Sequence, residues 1–299
     1  MSAQPDTSLR ERVARLAGAT PVAWVRRTGG YSPAERWVAT LPDGSTVFAK
    51  AGVSPLTSEW LRREFAVYEA VRARCMPTVM GWEDDPVSPL MLVEDLTYAH
   101  WPPPWSYANV EAVREVLAQL AAMPAPAFLY RASEGIFVTG RCWAEVARDP
   151  QPFLSLGLVD ASWLDAALPH LLGAEAAAQI DGDSVLHMDV RSDNLCFADE
   201  DEPVLIDWNH AARGAADLDI AFWLPSLQFE GGPAPETILP HAPEYAALVS
   251  GFFAARAGLP NIDDAPFVRR VQREQLSTSL PWAVRALGLQ PLKTKARLP

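Results

Sequence analysis

The chain has 299 residues with 25 basic and 37 acidic side chains, a formal net charge of −12 and 49% hydrophobic residues. That balance excludes a disordered chain and a nucleic-acid binder, which needs a basic footprint. No apolar run reaches the roughly 18 residues of a membrane span, so no membrane partner is expected.

Cys75, Cys142 and Cys196 are unclustered and form no CxxC pair, which reads as reduced, buried thiols in a cytoplasmic protein. The polar start, Met1 to Asp6, lacks a signal peptide's apolar stretch. Acidity is compatible with a cationic ligand, although it mainly serves solubility.

In chain order, Leu9, Val13 and Leu16 recur at helical spacing and stop at Gly18, predicting an opening helix over 8–17. Three strands follow, over 22–25, 36–41 and 46–50. The spacer Pro42-Asp43-Gly44-Ser45 predicts a hairpin turn. The earlier spacer, Gly29-Gly30-Tyr31-Ser32, reads either as a plain turn or as a flap whose amides cover a phosphate, with Gly30 and Ser32 its contacts.

Lys50 closes the third strand in Val47-Phe48-Ala49-Lys50. In the next helix Glu64 falls on the apolar arc of Leu61, Phe65, Tyr68 and Val71, whereas Glu59 points away. A carboxylate on a core-facing arc needs a cation, and Lys50 is the economical one; Arg62 or Arg63 is the alternative.

Leu90–Val93 predicts a buried strand. The run from His100 to Trp105, with three prolines, predicts a stiff connector. Val110, Val113, Leu117 and Leu120 form one apolar stripe with Asn109 as the expected N-cap. Residues 124–182 show helical pieces around 141–148 and 161–180, where Asp160, Asp165 and Glu175 are available acids without a motif. The tail predicts helices over 245–257 and 266–288, the second kinked or split at Pro281.

The central stretch is 185–208. His187, Asp189 and Asn194 form H-x-D-x-x-x-x-N, and Asp207 follows the apolar Val204–Ile206. The runs 195–198 and 204–206 flank an acidic turn, predicting a hairpin that returns Asp207 to the end occupied by Asn194. Hard oxygen donors in that arrangement suit Mg²⁺ beside nucleotide phosphates, and Asp189 is placed to take a hydroxyl proton: phosphoryl transfer. His187 reads as a prop for the loop. Arg191 reads as a neutralising charge near Asp189 or the transferred group.

Together, His187–Asn194 and Ile206-Asp207-Trp208 resemble the core of the aminoglycoside phosphotransferase family, relatives of choline kinases and protein kinases. The resemblance runs from about Thr28 to Ala221. It implies an α+β, two-lobed protein-kinase-like fold: an N-terminal lobe (1–95) of antiparallel sheet plus helix, and a larger, mostly helical lobe (96–299). It also implies adenine held by the backbone of Val93, Glu94, Asp95 and Leu96, and phosphates oriented by Lys50 with Glu64. Asp189 would be the base, and Asn194 and Asp207 the Mg²⁺ ligands. ATP or GTP would be co-substrate to a small hydroxyl-bearing acceptor, in a monomer or homodimer. Gly214 and Asp219-Ile220-Ala221 match a further family pattern, with Asp219 bracing the catalytic loop through His187 or backbone amides. Two other readings stay open. One is a silent nucleotide-binding relative; the other is a hydrolase using His187, Asp189, Asp207 and His210 around a transition metal.

Overall fold

The computed structural model describes residues 4–28, 34–135, 141–198, 202–262 and 265–292. In chain order these form α1 (Thr7–Ala17), β1 (Ala23–Arg26), β2 (Glu35–Thr40), β3 (Thr46–Ala51), α2 (Pro55–Val71), β4 (Val79–Glu83), β5 (Leu90–Glu94) and α3 (Tyr107–Ala121). Next come α4 (Cys142–Arg148), α5 (Gln151–Leu154), α6 (Ala161–Ala177), β6 (Ser184–Leu186), β7 (Leu195–Phe197), β8 (Pro203–Leu205) and β9 (Ala212–Gly214). The chain closes with α7 (Asp217–Phe229), α8 (Pro235–Ile238), α9 (Pro243–Ala257) and α10 (Val268–Ala286). The architecture is α+β. Two compact units emerge, one of residues 1–102 with 193–211, the other of residues 103–192 with 212–299. These limits differ from lobes drawn at 1–95 and 96–299.

In the first unit, an antiparallel sheet runs β1-β2-β3-β5-β4. Its β2–β3 turn forms because Asp43 accepts the amide and hydroxyl of Ser45 at 2.9 and 2.6 Å, while Gly44 takes a φ of 87°. Alternation sends Trp37, Ala39, Val47, Ala49, Leu90 and Leu92 to one face, where they pack with Leu9 and Val13 of α1. Arg12 and Arg15 of α1 both reach Glu83 on β4, at 2.7 and 2.5 Å. The opposite parity of β3 carries Lys50 toward α2.

Helix α2 starts at a reciprocal cap: the Ser54 hydroxyl accepts the Thr57 amide, and Thr57 Oγ1 accepts the Ser54 amide. Pro55 sits in its first turn, where a missing N–H does no harm. The hairpin β7–β8 also belongs to this unit. Leu205 donates to the Cys75 carbonyl at 2.7 Å, and His100 exchanges two 2.9 Å backbone bonds with Phe197.

The second unit is built on α9, whose residues Tyr245 to Ala254 are all buried. Helices α4, α5, α6, α7 and α10 pack against it. Helix α9 is therefore a core element with no outer face. Helix α10 continues through Pro281 without being split. The N-cap of α3 is Ser106, not Asn109. Asn109 lies at the third helical position, and its side chain accepts from Ser106. The strands β6 and β9 pair antiparallel, and a Cβ on Gly214 would come within 2.8 Å of Leu186 and 2.9 Å of Ala132.

Candidate active site

In the first unit, Lys50 Nζ lies 2.6 Å from Glu64 Oε2 and 2.6 Å from Asp207 Oδ1. The Lys50 and Glu64 side chains are only 12% and 3% exposed, so the pair is interior rather than superficial. Burial alone would lower the lysine's pKa, but the charges of Asp207 and Glu64 outweigh it and raise it. Burial likewise pushes the Asp207 carboxyl up, yet the Lys50 ammonium, helped by Arg36 and His210, holds it at about 2. Glu64 moves the other way. Burial and the neighbouring Asp207 charge raise it despite the lysine.

One member of this cluster was hidden in the sequence. Tyr68, one turn beyond Glu64 on α2, donates its hydroxyl to Glu64 Oε1 at 3.1 Å. Burial and the charges of Glu64 and Asp207 push this phenol well up. At Asp207 the backbone is left-handed, with a φ of 67°. Such backbone is costly for a residue other than glycine, so the surrounding structure holds a conformation the chain would not choose alone.

Asn194 is buried, and its carbonyl accepts the Ile206 amide at 2.9 Å, one step beyond the Leu195–Leu205 pair. Asn194 and Asp207 therefore leave the β7–β8 hairpin at the same end, as its pattern predicted. One ionised carboxylate and one amide oxygen fit a Mg²⁺ ion, which completes its shell with water and phosphate oxygens. Among the described residues no group of three or more His, Cys, Asp or Glu side chains could hold a metal.

At the end of β5, Val93 and Glu94 are paired in the ladder with Phe48 and Val47. The Glu94 amide donates to the Thr78 carbonyl at 3.0 Å, and its carboxylate accepts the Thr78 amide at 2.9 Å. Asp95 closes a turn onto the amide and hydroxyl of Thr97. The Leu96 carbonyl accepts from Ala99 and from Trp101 Nε1. These four residues form an ordered strand end, and their side chains are spent on local structure. Gly30 and Ser32 lie outside the described residues.

In the second unit, β6 delivers His187 into full burial. Its Nδ1 accepts the Asp189 amide at 3.2 Å, leaving the proton of a neutral ring on Nε2. Asp219, near the start of α7, accepts the amides of His187 and Met188, each at 2.7 Å. Burial raises the Asp219 carboxyl to about 6; the two amides pull it down and the Asp189 charge pushes it further up. Asp189 itself is half-buried, with Arg191 Nε at 3.6 Å from its Oδ1, an ion pair rather than a hydrogen bond.

No family model matches the chain, and no curated protein matches it in sequence. Solved structures do. A thermostable mutant of aminoglycoside phosphotransferase APH(4)-Ia, in ternary complex with AMP-PNP and hygromycin B, superposes with a TM-score of 0.58 at 14% identity, covering 95% of this chain and 98% of that one. The chain has the aminoglycoside phosphotransferase fold. Spectinomycin phosphotransferase APH(9)-Ia, bound to ADP and spectinomycin, shares this phosphotransferase fold at a TM-score of 0.58, 13% identity and coverage of 95% and 94%. An aminoglycoside phosphotransferase from Alicyclobacillus acidocaldarius gives 0.55, 15%, and 96% and 98%. At such identities the likeness is one of fold, and the chemistry of this chain has to be argued from its own side chains.

Proposed function

We propose that this protein is a small-molecule kinase that transfers the γ-phosphoryl group of ATP or GTP to a hydroxyl of a small acceptor, with cationic, aminoglycoside-like compounds the first class to test. The observation that carries the reading is Lys50, buried and charged between Glu64 and Asp207. A lysine fixed in that way is a preorganised cation for phosphate oxygens, and phosphoryl transfer depends mainly on positioning and charge neutralisation.

The roles divide as follows. Lys50, oriented by Glu64, holds nucleotide phosphates. Asn194 and Asp207 would hold Mg²⁺, which when bound neutralises charge on the phosphates. The backbone of Val93 to Leu96 meets the base. The acceptor oxygen forms a bond to the γ-phosphorus as the bond to the β–γ bridging oxygen breaks. The hydroxyl proton passes to the Asp189 carboxylate, and nucleoside diphosphate leaves. His187 fixes the Asp189 backbone, and Arg191 lies near the carboxylate to offset charge gathering there. The net charge of −12 is compatible with a cationic acceptor. Solved neighbours of this fold carry hygromycin B and spectinomycin, which makes these two compounds sensible members of a panel.

The test is turnover read by mass spectrometry, with Mg²⁺ and ATP or GTP against aminoglycosides, other hydroxyl-bearing antibiotics and amino alcohols. An acceptor gaining one phosphate is expected. Asp189→Ala should lower that turnover by about 10²-fold or more while nucleotide affinity stays within a few-fold. Near-normal turnover in Asp189→Ala would remove Asp189 as the base. Mg²⁺-dependent nucleotide binding with no phosphorylated product from any acceptor would favour a silent kinase-like protein.

A further inference from the structure

Helix α7 grips the loop 187–192 at both ends. At its start, Asp219 holds the amides of His187 and Met188. Just past its last residue, Glu230 Oε1 accepts the Ser192 hydroxyl at 2.5 Å, the short distance expected between a hydroxyl and a carboxylate. The other oxygen, Oε2, accepts Trp105 Nε1 at 2.8 Å. Trp105 in turn packs edge-on against Trp223 of α7, with centroids 5.6 Å apart.

Between these two anchors the loop is bent, with Met188 at a φ of 65°. Asp189 and Arg191 therefore lie on a span fastened at each end to one rigid element. The bond at Ser192 holds the side of the loop away from Asp219, and a shift of about 1 Å in a reacting group costs about a hundredfold in rate.

We propose that Glu230 is a positioning residue for phosphoryl transfer: by holding Ser192 and Trp105 together it fixes the far end of the loop that carries Asp189. The proposal rests on the reading of Asp189 as the base. Glu230 acts through Ser192, with both carboxylate oxygens already accepting protein donors, and it is not assigned to the acceptor.

The test compares the full-length wild type with Glu230→Ala, Glu230→Gln and Ser192→Ala. In Glu230→Ala, kcat should fall by about thirtyfold while KM for nucleotide and acceptor changes less than about threefold, the mark of lost positioning rather than lost binding. Glu230→Gln should recover to within about fivefold of wild type, because an amide can accept from Trp105 and pair with the serine hydroxyl. Adding Ser192→Ala to Glu230→Ala should cost less than about twofold more, since the two groups share one interaction.

Hydrogen exchange of the amides of 188–192 supplies a readout that needs no acceptor. Protection should drop about tenfold or more in Glu230→Ala, with the amides of α9 unchanged. Unchanged loop protection overturns the proposal, whatever the enzymology gives. So does a kcat within about twofold of wild type, and so does a raised KM at constant kcat, which would make Glu230 a substrate contact. Should Glu230→Ala fail to fold, Ser192→Ala carries the same readings. Should the wild type phosphorylate nothing, the functional reading fails while hydrogen exchange still decides the role of Glu230.

Discussion

Lys50 shows how much one side chain can integrate. It is reached by Glu64, 14 residues away, and Asp207, 157 residues away. Replacing it with Met leaves a buried carboxylate and its neighbour without their cation, so Lys50→Met should lose about 3 kcal/mol of stability near neutral pH. The sign of its pH dependence follows. Without the ammonium, both folded-state carboxyl pKa values rise above their wild-type positions, so acid relieves the variant. The stability gap from wild type should shrink between about pH 7.5 and pH 5 in denaturant titrations, and a constant gap would contradict the charge assignment. Tyr68→Phe keeps the ring and removes the hydroxyl that donates to Glu64. It should cost about 1–3 kcal/mol in the same titrations, because the Glu64 carboxylate stays buried. The contrast between these residues explains what could be read beforehand. Glu64 announced itself as a charge on an apolar arc, which demanded a cation. Tyr68 sat on the same arc as an unremarkable aromatic, and nothing in the pattern says that its hydroxyl is spent on Glu64 rather than on water. Glu230 is hidden for the same reason, since an acid at the end of a helix has no pattern of its own.

At the scale of elements, what a short stretch decides alone was legible, and what neighbours decide was not. The 42–45 turn, the α2 helix and the β7–β8 hairpin follow from turn residues, a cap and alternation within a few positions. Ser106 takes the cap of α3 over Asn109 because two residues can exchange both bonds, a pairing that a single-residue propensity overlooks. The stretch 124–182 resisted organisation because its short helices are ordered by α9, a core helix made more than sixty residues later. Glu175 of α6 illustrates this. It is buried, and its two oxygens accept the Cys142 and Trp143 amides at 2.8 and 3.1 Å, capping α4 from a different helix. Burial raises its carboxyl from 4.5 to about 7, against the pull of those amides. A carboxyl raised on folding binds protons more tightly in the native state. Its contribution is therefore fully present below the unfolded value and is lost as pH rises through about 7. Relative to Glu175→Gln, the wild type should lose stability between about pH 4.5 and pH 7.5, followed by urea melts. A flat difference would show that the carboxyl does not titrate in that range.

For the molecule as a whole, ligand linkage offers the broadest check. A nucleotide at a hundred times its Kd should stabilise the protein by about 2.7 kcal/mol, and chelating Mg²⁺ should remove most of that gain. Asp189→Ala should keep the stabilisation and Asp207→Ala should lose it, read as thermal shifts with and without EDTA. Equal shifts in both variants would contradict the separate roles. The fold class was legible because a periodic pattern and a spaced motif agreed. Residues 193–211 group with the first unit although they follow some ninety residues of the second. That return has a consequence for a chain made from one end to the other. The sheet, Lys50 and Glu64 are complete once Pro102 has been added, but the hairpin that brings Asp207 is made later. At about 5–20 residues per second, the gap lasts several seconds. The first unit is thus born without one of its own members, and a fragment ending at Pro102 would keep its lysine and glutamate yet lack the aspartate that completes their set.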